Sequence, residues 1–141
     1  MIIYLAGPLF TLAERRFNAE LAQGLRTAGH EVLVPQEFET AEKSAREIFI
    51  DDVAAIDRAD VVVANMDGSD PDSGTAWECG YAFGKGKPYI VFRTDFRAAD
   101  KAGRASFNPM LSASASRPPL DLSASDMANV VEILLSELAE L

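Results

Sequence analysis

The chain has little cysteine and no long apolar run. Its single cysteine among 141 residues, Cys79, has no partner for an internal disulfide. No hydrophobic stretch approaches the roughly 18 residues that a membrane-spanning helix needs, so no membrane partner is expected. Met1 leads directly into an apolar run, with no charged segment of a secretory signal before it. These features predict a soluble protein of the reducing cytoplasm.

Positive charge is also scarce. The 13 basic residues are outnumbered by 22 acidic ones, giving a formal net charge of −9. Such a chain repels a phosphate backbone unless its basic residues gather on one face, so nucleic acid is not an expected partner. With 48% hydrophobic residues, 141 residues suffice for one compact core and are too few for two. We therefore expect a single domain over residues 1–141.

Short apolar runs alternate with segments of helical periodicity. The strand-like runs cover residues 1–6, 31–35, 60–65 and 88–92. Helical patterns cover residues 12–28, 41–58, 73–84 and 127–138, and the first ends at Gly29, a residue typical of helix C-termini. The third run is continuously hydrophobic, as in parallel strands covered on both faces. The pattern predicts an α/β fold, a doubly wound, flavodoxin-like parallel sheet of four to five strands flanked by helices.

Residues 93–122 interrupt this alternation. The segment is rich in Ala, Ser, Arg and Pro and lacks a clear period over about thirty residues, and loops of this length are usually functional or disordered.

Ligands of parallel sheets bind beyond the carboxyl ends of the strands, so the loops after the strands are candidate sites. The first such loop contains Gly7 and Pro8, a turn that is either purely structural or lets the backbone approach a ligand closely. It lacks the spacing of a dinucleotide or phosphate loop.

The loop after the third strand is strongly acidic. It contains Asp67, Asp70 and Asp72, and Glu78 follows one turn into a predicted helix. One interpretation is structural, because Thr75 and Glu78 have capping-box spacing and aspartates are common in turns. The other is chemical, because cleavage of a glycosidic bond needs one carboxylate at the anomeric carbon and an acid near the leaving group. A helix N-terminus would also favour an anionic nucleophile at Glu78.

Several motifs together resemble the nucleoside 2-deoxyribosyltransferase family. The resemblance covers residues 3–110. Its motifs are Tyr4-Leu-Ala-Gly-Pro, Asp52, Asp60-Val-Val-Val-Ala, Asp72-Ser-Gly-Thr-Ala-Trp-Glu78-Cys-Gly-Tyr-Ala and Gly86-Lys-Pro88. The resemblance implies that Glu78 is the nucleophile, that Tyr4 holds its carboxylate, and that Asp72 recognises the base and delivers a proton with Asp52 as its partner. It implies no metal and no cofactor.

The resemblance also predicts substrate contacts and a shared site. Asn108-Pro-Met110 looks like the family's Asn-x-Met segment, which reaches a neighbouring subunit's site and contacts the sugar hydroxyls. This implies a homo-oligomer, a dimer or a hexamer, and accounts for the long irregular segment. Gly7 and Gly74 belong to the substrate-binding motifs, and Phe10 is a candidate wall of the nucleobase pocket.

Some assignments have competing structural interpretations. Tyr4 also fits a strand-end aromatic in the core, and Asp52, beside Asp51, also fits an exposed helix charge. Phe10 and Trp77 also fit packing aromatics at helix starts.

Other side chains are assigned no chemistry. Cys79 should point away from its neighbour Glu78 and pack in the core. Four basic residues either attract phosphate or balance local carboxylates: Arg93, Arg97, Lys101 and Arg104.

The predicted reaction is a double displacement on 2′-deoxynucleosides. Glu78 attacks C1′, the base leaves, and a second nucleobase attacks the deoxyribosyl ester, with net retention and carboxyl groups about 5 Å apart. A first alternative is hydrolysis of deoxynucleoside 5′-monophosphates. The first loop offers no serine or arginine for the phosphate, although Ser112, Ser114 and Ser116 keep this alternative open. The second alternative is a nucleotide sensor that binds a ligand without turnover.

Overall fold

The computed structural model describes residues 1–38, 41–95 and 107–141. Arg97, Lys101 and Arg104 lie outside these ranges. The elements in chain order are β1 (Ile2–Ala6), α1 (Leu12–Thr27), β2 (Glu31–Leu33), α2 (Pro35–Phe38), α3 (Ala45–Arg58), β3 (Val61–Asn65), α4 (Ser73–Gly84), β4 (Tyr89–Arg93), α5 (Pro109–Ser112), β5 (Leu120–Asp121) and α6 (Met127–Ala139).

The five strands form one parallel sheet in the order β2-β1-β3-β4-β5. This is the doubly wound, flavodoxin-like order, so the predicted fold class is confirmed. The strand order reverses between β1 and β3, which are hydrogen-bonded neighbours. In such sheets the crevice beyond these two strand ends is the expected ligand site.

Alternate residues of each strand face opposite layers of helices. Ile3 and Leu5 of β1 belong to the core formed with α1 and α6, whereas Tyr4 and Ala6 belong to the core formed with α3 and α4. The period of two in a strand thus directs Tyr4 towards α4, the helix of Glu78.

Local capping sets several boundaries. Ser44 and Glu47 form a capping box, so α3 begins at Ala45 rather than at the predicted residue 41. Gly29 has a φ of 92° after α1, as expected of a helix-terminating glycine. The strand predicted over residues 31–35 ends at Leu33, because Pro35 begins the short α2. The irregular segment also contains α5 and the short strand β5.

Candidate active site

A tyrosine and a glutamate from different elements meet at the end of the sheet. Tyr4 is 0% exposed, and its hydroxyl donates a hydrogen bond of 2.5 Å to Oε1 of Glu78. A hydrogen bond to a carboxylate is stronger than one between neutral groups and restricts where the carboxylate can point. Tyr4 is therefore both a core residue and an anchor for Glu78, which reconciles its two interpretations from sequence.

Asp72 caps helix α4. Its Oδ2 accepts hydrogen bonds from the backbone nitrogen of Thr75 at 3.0 Å and from the Thr75 hydroxyl at 3.3 Å. The capping-box interpretation of Thr75 and Glu78 is therefore wrong, because α4 begins at Ser73 and Thr75 is already inside the helix. The free backbone N–H groups that a cap satisfies are in the first turn of the helix, and Glu78 lies beyond that turn.

A small pocket opens beside these groups. It brings together six predicted site residues and three others, and its lining is Gly7, Leu9, Phe10, Pro35, Asp52, Asp72, Gly74, Thr75 and Glu78. Sequence reasoning missed Leu9 and Pro35 as individual residues. Pro35 follows β2, at a strand end where a ligand was expected, so its position was a usable signal.

Neighbouring aspartates of α3 have different surroundings. Asp52 lines the pocket, whereas Oδ2 of Asp51 lies 2.7 Å from Nζ of Lys43 in an ion pair. The residue chosen from the sequence is thus the one that faces the pocket. Together with Asp72 and Glu78 it brings three carboxylates into the lining of one pocket.

Cys79 of α4 does not line the pocket. It is 0% exposed in the core beneath the helix, as predicted. Burial raises the pKa of its thiol to about 12, and the negative charge of Glu78 adds to this shift. The thiol therefore stays protonated at neutral pH and is a packing group.

The two candidate aromatics have different environments. Phe10 is 69% exposed and contributes to the pocket lining. Trp77 points outward, where its ring stacks on Tyr81 with centroids 5.3 Å apart and contacts Phe49 edge-on at 5.4 Å. The packing interpretation therefore applies to Trp77, whereas Phe10 lines the pocket and its contact with a nucleobase stays a prediction.

Asn108 and Met110 lie elsewhere on the surface of the same chain. The side chain of Asn108 caps α5 by accepting a hydrogen bond of 2.9 Å from the backbone nitrogen of Met110, whose side chain is 79% exposed. Both line a separate groove along α4, together with Pro71 and Phe83. Within one subunit, therefore, the described residues do not bring Asn108 and Met110 into the Glu78 pocket.

Arg93 serves the protein interior rather than a phosphate. It is 3% exposed, and its guanidinium donates to the carbonyl oxygens of Met66 at 2.6 Å and Gly68 at 2.7 Å. Neither sequence interpretation of Arg93 anticipated this support of the β3–α4 loop. Ser116 likewise accepts a hydrogen bond of 3.0 Å from the backbone nitrogen of Tyr89 in β4.

The chain belongs to the nucleoside 2-deoxyribosyltransferase family, whose model matches residues 3–130. It is 28% identical to a 2-deoxyribosyltransferase from Bacillus psychrosaccharolyticus, with a TM-score of 0.72 over 93% of this chain and 90% of the other. A 2-desoxiribosyltransferase from Leishmania mexicana is 25% identical, with a TM-score of 0.68 over 93% of this chain and 97% of the other. Members of this family are enzymes that act on nucleosides.

Another solved structure shares the fold alone. The CMP N-glycosidase BcmB of Clostridium botulinum is 18% identical, with a TM-score of 0.68 over 95% of this chain and 98% of that chain. No curated protein sequence matches the chain significantly.

Among the described residues, none of the helices is long and apolar enough to cross a membrane. In the same ranges, no group of three or more His, Cys, Asp or Glu is arranged to hold a metal ion.

Proposed function

We propose that the protein is a nucleoside 2-deoxyribosyltransferase that uses Glu78 as its nucleophile. The observation that carries the proposal is the 2.5 Å hydrogen bond by which buried Tyr4 holds the Glu78 carboxylate at the pocket. A nucleophilic carboxylate must be oriented towards the anomeric carbon, and a donor fixed in the core restricts its orientation. Family membership supports the same roles for both residues.

The reaction proceeds in two displacements. Glu78 attacks C1′, the bond from C1′ to the base nitrogen breaks, and the departing base takes a proton from the Asp72 side of the pocket. A second nucleobase then attacks C1′ of the ester and gives up its proton, and the Glu78 carboxylate is released. Two inversions give net retention. Asp52 and Asp72 share the lining with Glu78, which supports a role for both at the base.

The proposed substrate is a nucleoside without a 5′-phosphate. The described lining brings Asp52, Asp72 and Glu78 into one pocket, and three carboxylates oppose the entry of a phosphate dianion. The loop from Gly7 to Phe10 adds no hydroxyl or cationic side chain to offset them. Hydrolysis of 5′-monophosphates is the alternative, and the CMP N-glycosidase supports it through a shared fold only.

We further propose that the active site is shared between subunits of a homo-oligomer. Asn108 and Met110 are exposed and lie outside the Glu78 pocket of their own subunit. Their Asn-x-Met pattern therefore supports insertion of this segment into the Glu78 pocket of a symmetry-related copy. A two-fold interface offers and receives the same segment, which makes such an exchange reciprocal.

One assay distinguishes the candidate functions. Purified protein is incubated with deoxyinosine, with and without adenine, and products are separated by chromatography. A transferase yields deoxyadenosine and hypoxanthine. A hydrolase releases free deoxyribose whether or not adenine is present, and deoxyinosine 5′-monophosphate as a parallel substrate detects the nucleotide alternative. A sensor releases no base. Glu78→Gln, which keeps the side-chain shape, is expected to abolish product formation, and retained activity would place the nucleophile elsewhere.

A further inference from the structure

A buried amide lies behind the pocket wall. Asn18 of α1 is only 5% exposed and is in helical register with buried Leu21 and Leu25, on the face that packs against the sheet. An amide buried without hydrogen-bond partners costs free energy, so the partners of Asn18 show what it is used for.

Asn18 joins the β1–α1 loop to helix α2, two segments that are distant in the chain. Its Nδ2 donates to the carbonyl oxygen of Pro8 at 3.0 Å and to Oε1 of Gln36 at 3.2 Å. Pro8 lies in the β1–α1 loop, which contributes Gly7, Leu9 and Phe10 to the Glu78 pocket, and Gln36 follows the pocket residue Pro35. Asn18 itself is not part of the lining. One side chain therefore links two pocket walls from behind.

Neighbouring groups strengthen this link. Nη1 of Arg15 donates to the carbonyl oxygens of Leu9 at 3.2 Å and Phe10 at 2.9 Å. Nε2 of Gln36 donates to the carbonyl oxygen of Arg15 at 2.9 Å. Three consecutive loop carbonyls, at positions 8, 9 and 10, are thus held by two side chains of α1.

We propose that Asn18 is a positioning residue that sets the separation between the β1–α1 loop and Pro35 and thereby the fit of substrate beside Glu78. The inference rests on the proposed function, because it takes this pocket as the substrate site. Without the Asn18 donors the two walls lose the buried side chain that hydrogen-bonds to both of them, and the links through Arg15 remain. Substrate then binds less tightly, and water gains access to the glycosyl ester in competition with the acceptor base.

The test compares Asn18→Asp and Asn18→Ala with Leu134→Val. Asp is close to Asn in shape but places carboxylate oxygens against two acceptors, so it removes the donors without opening a cavity. Leu134 lies in the core between α6 and the sheet and makes no contribution to the pocket lining, so Leu134→Val controls for lowered stability. KM, kcat, the ratio of hydrolysis to transfer, and the melting temperature are measured for each.

Both Asn18 variants are expected to raise KM for deoxyinosine about tenfold and to raise the hydrolysis ratio, with a smaller change in kcat. Leu134→Val is expected to leave both quantities at wild-type values. If the Asn18 variants differ from Leu134→Val only in melting temperature, Asn18 is a structural residue and the inference is wrong. If neither variant folds, Gln36→Met removes the hydrogen bonds of Gln36 with Asn18 and with the Arg15 carbonyl oxygen while keeping the Pro8 contact, and the same criteria apply.

A binding measurement separates this inference from the proposed function. Calorimetry with deoxyinosine compares Glu78→Gln with the double variant Glu78→Gln/Asn18→Asp, which bypasses turnover. Weaker binding by the double variant supports the inference even if wild-type protein proves to be a sensor without activity. Equal binding overturns it even if wild-type protein is an active transferase. If deoxyinosine binds to neither protein, both proposals are wrong.

Discussion

Replacement of Tyr4 by Phe is the sharpest test of how Glu78 is held. The change removes one hydroxyl from a fully buried ring and deletes the 2.5 Å hydrogen bond to Oε1 of Glu78. Hydrogen bonds to charged groups contribute about 1.5–3 kcal/mol. If that energy is used to orient the carboxylate in the transition state, kcat/KM for deoxyinosine falls about 10- to 150-fold.

The control for this change is on the same helix as Glu78. Tyr81→Phe also deletes a tyrosine hydroxyl, one that donates to Oδ1 of Asp57 at 3.0 Å on the outer surface. We expect kcat/KM of Tyr81→Phe to equal that of the wild type. Steady-state kinetics at a temperature well below both melting transitions supply the comparison. If kcat/KM of Tyr4→Phe is unchanged or higher than that of the wild type, the Tyr4 hydroxyl does not orient the Glu78 carboxylate for attack. The positioning role would then be refuted.

Three further predictions concern proton delivery, the shared site and the buried thiol. Asp72→Asn should keep the α4 cap, because Asn caps helices as well as Asp. It should slow the reaction of ordinary bases more than that of substrates whose leaving group needs no proton. Equal losses of rate for both substrate types would leave Asp72 as a positioning residue. Mixing inactive Glu78→Ala with inactive Asn108→Ala subunits should restore part of the activity, whereas a mixture that stays inactive despite demonstrated subunit exchange contradicts a shared site. Cys79 should react with a disulfide reagent at pH 8 only after unfolding, because burial raises its pKa to about 12; fast labelling of folded protein would contradict that burial.

The same thiol predicts how stability depends on pH. The pKa of Cys79 is raised above its ordinary value of 9.0 in the folded protein, so the unfolded chain releases this proton at lower pH. Its contribution to stability is therefore complete below pH 9 and declines as pH rises towards 12.

The sequence by itself determined the alternation of the first four strands with the long helices and the acidic chemistry of the loop between β3 and α4, but not α2, α5 or β5. Continuous apolar strands can be buried only between two layers of helices, and parallel strands place their loops on one edge, so the gathering of Gly7, Asp72 and Glu78 followed from local patterns. The choice of Asp52 over Asp51 was predicted from its spacing to Asp60 and Asp72, and the hydrogen bond from Tyr4 was implied by resemblance to a family. In the structure, the two-residue period of β1 turns Tyr4 towards α4. Asp51 forms an ion pair with Lys43, whereas Asp52 lines the pocket.

Tertiary structure alone decided which of several compatible contacts each polar side chain makes. Spacing allowed Thr75 and Glu78 to form a capping box, but Asp72 lies closer to the first free amides of α4 and takes that role. Arg93 was judged by its charge, although its guanidinium donates to backbone carbonyls of the neighbouring loop. Asn18 lay in an apolar stripe, but nothing local reveals that Pro8 and Gln36 would meet on its amide. Such contacts depend on residues far apart in the chain, which only the packed sheet brings together.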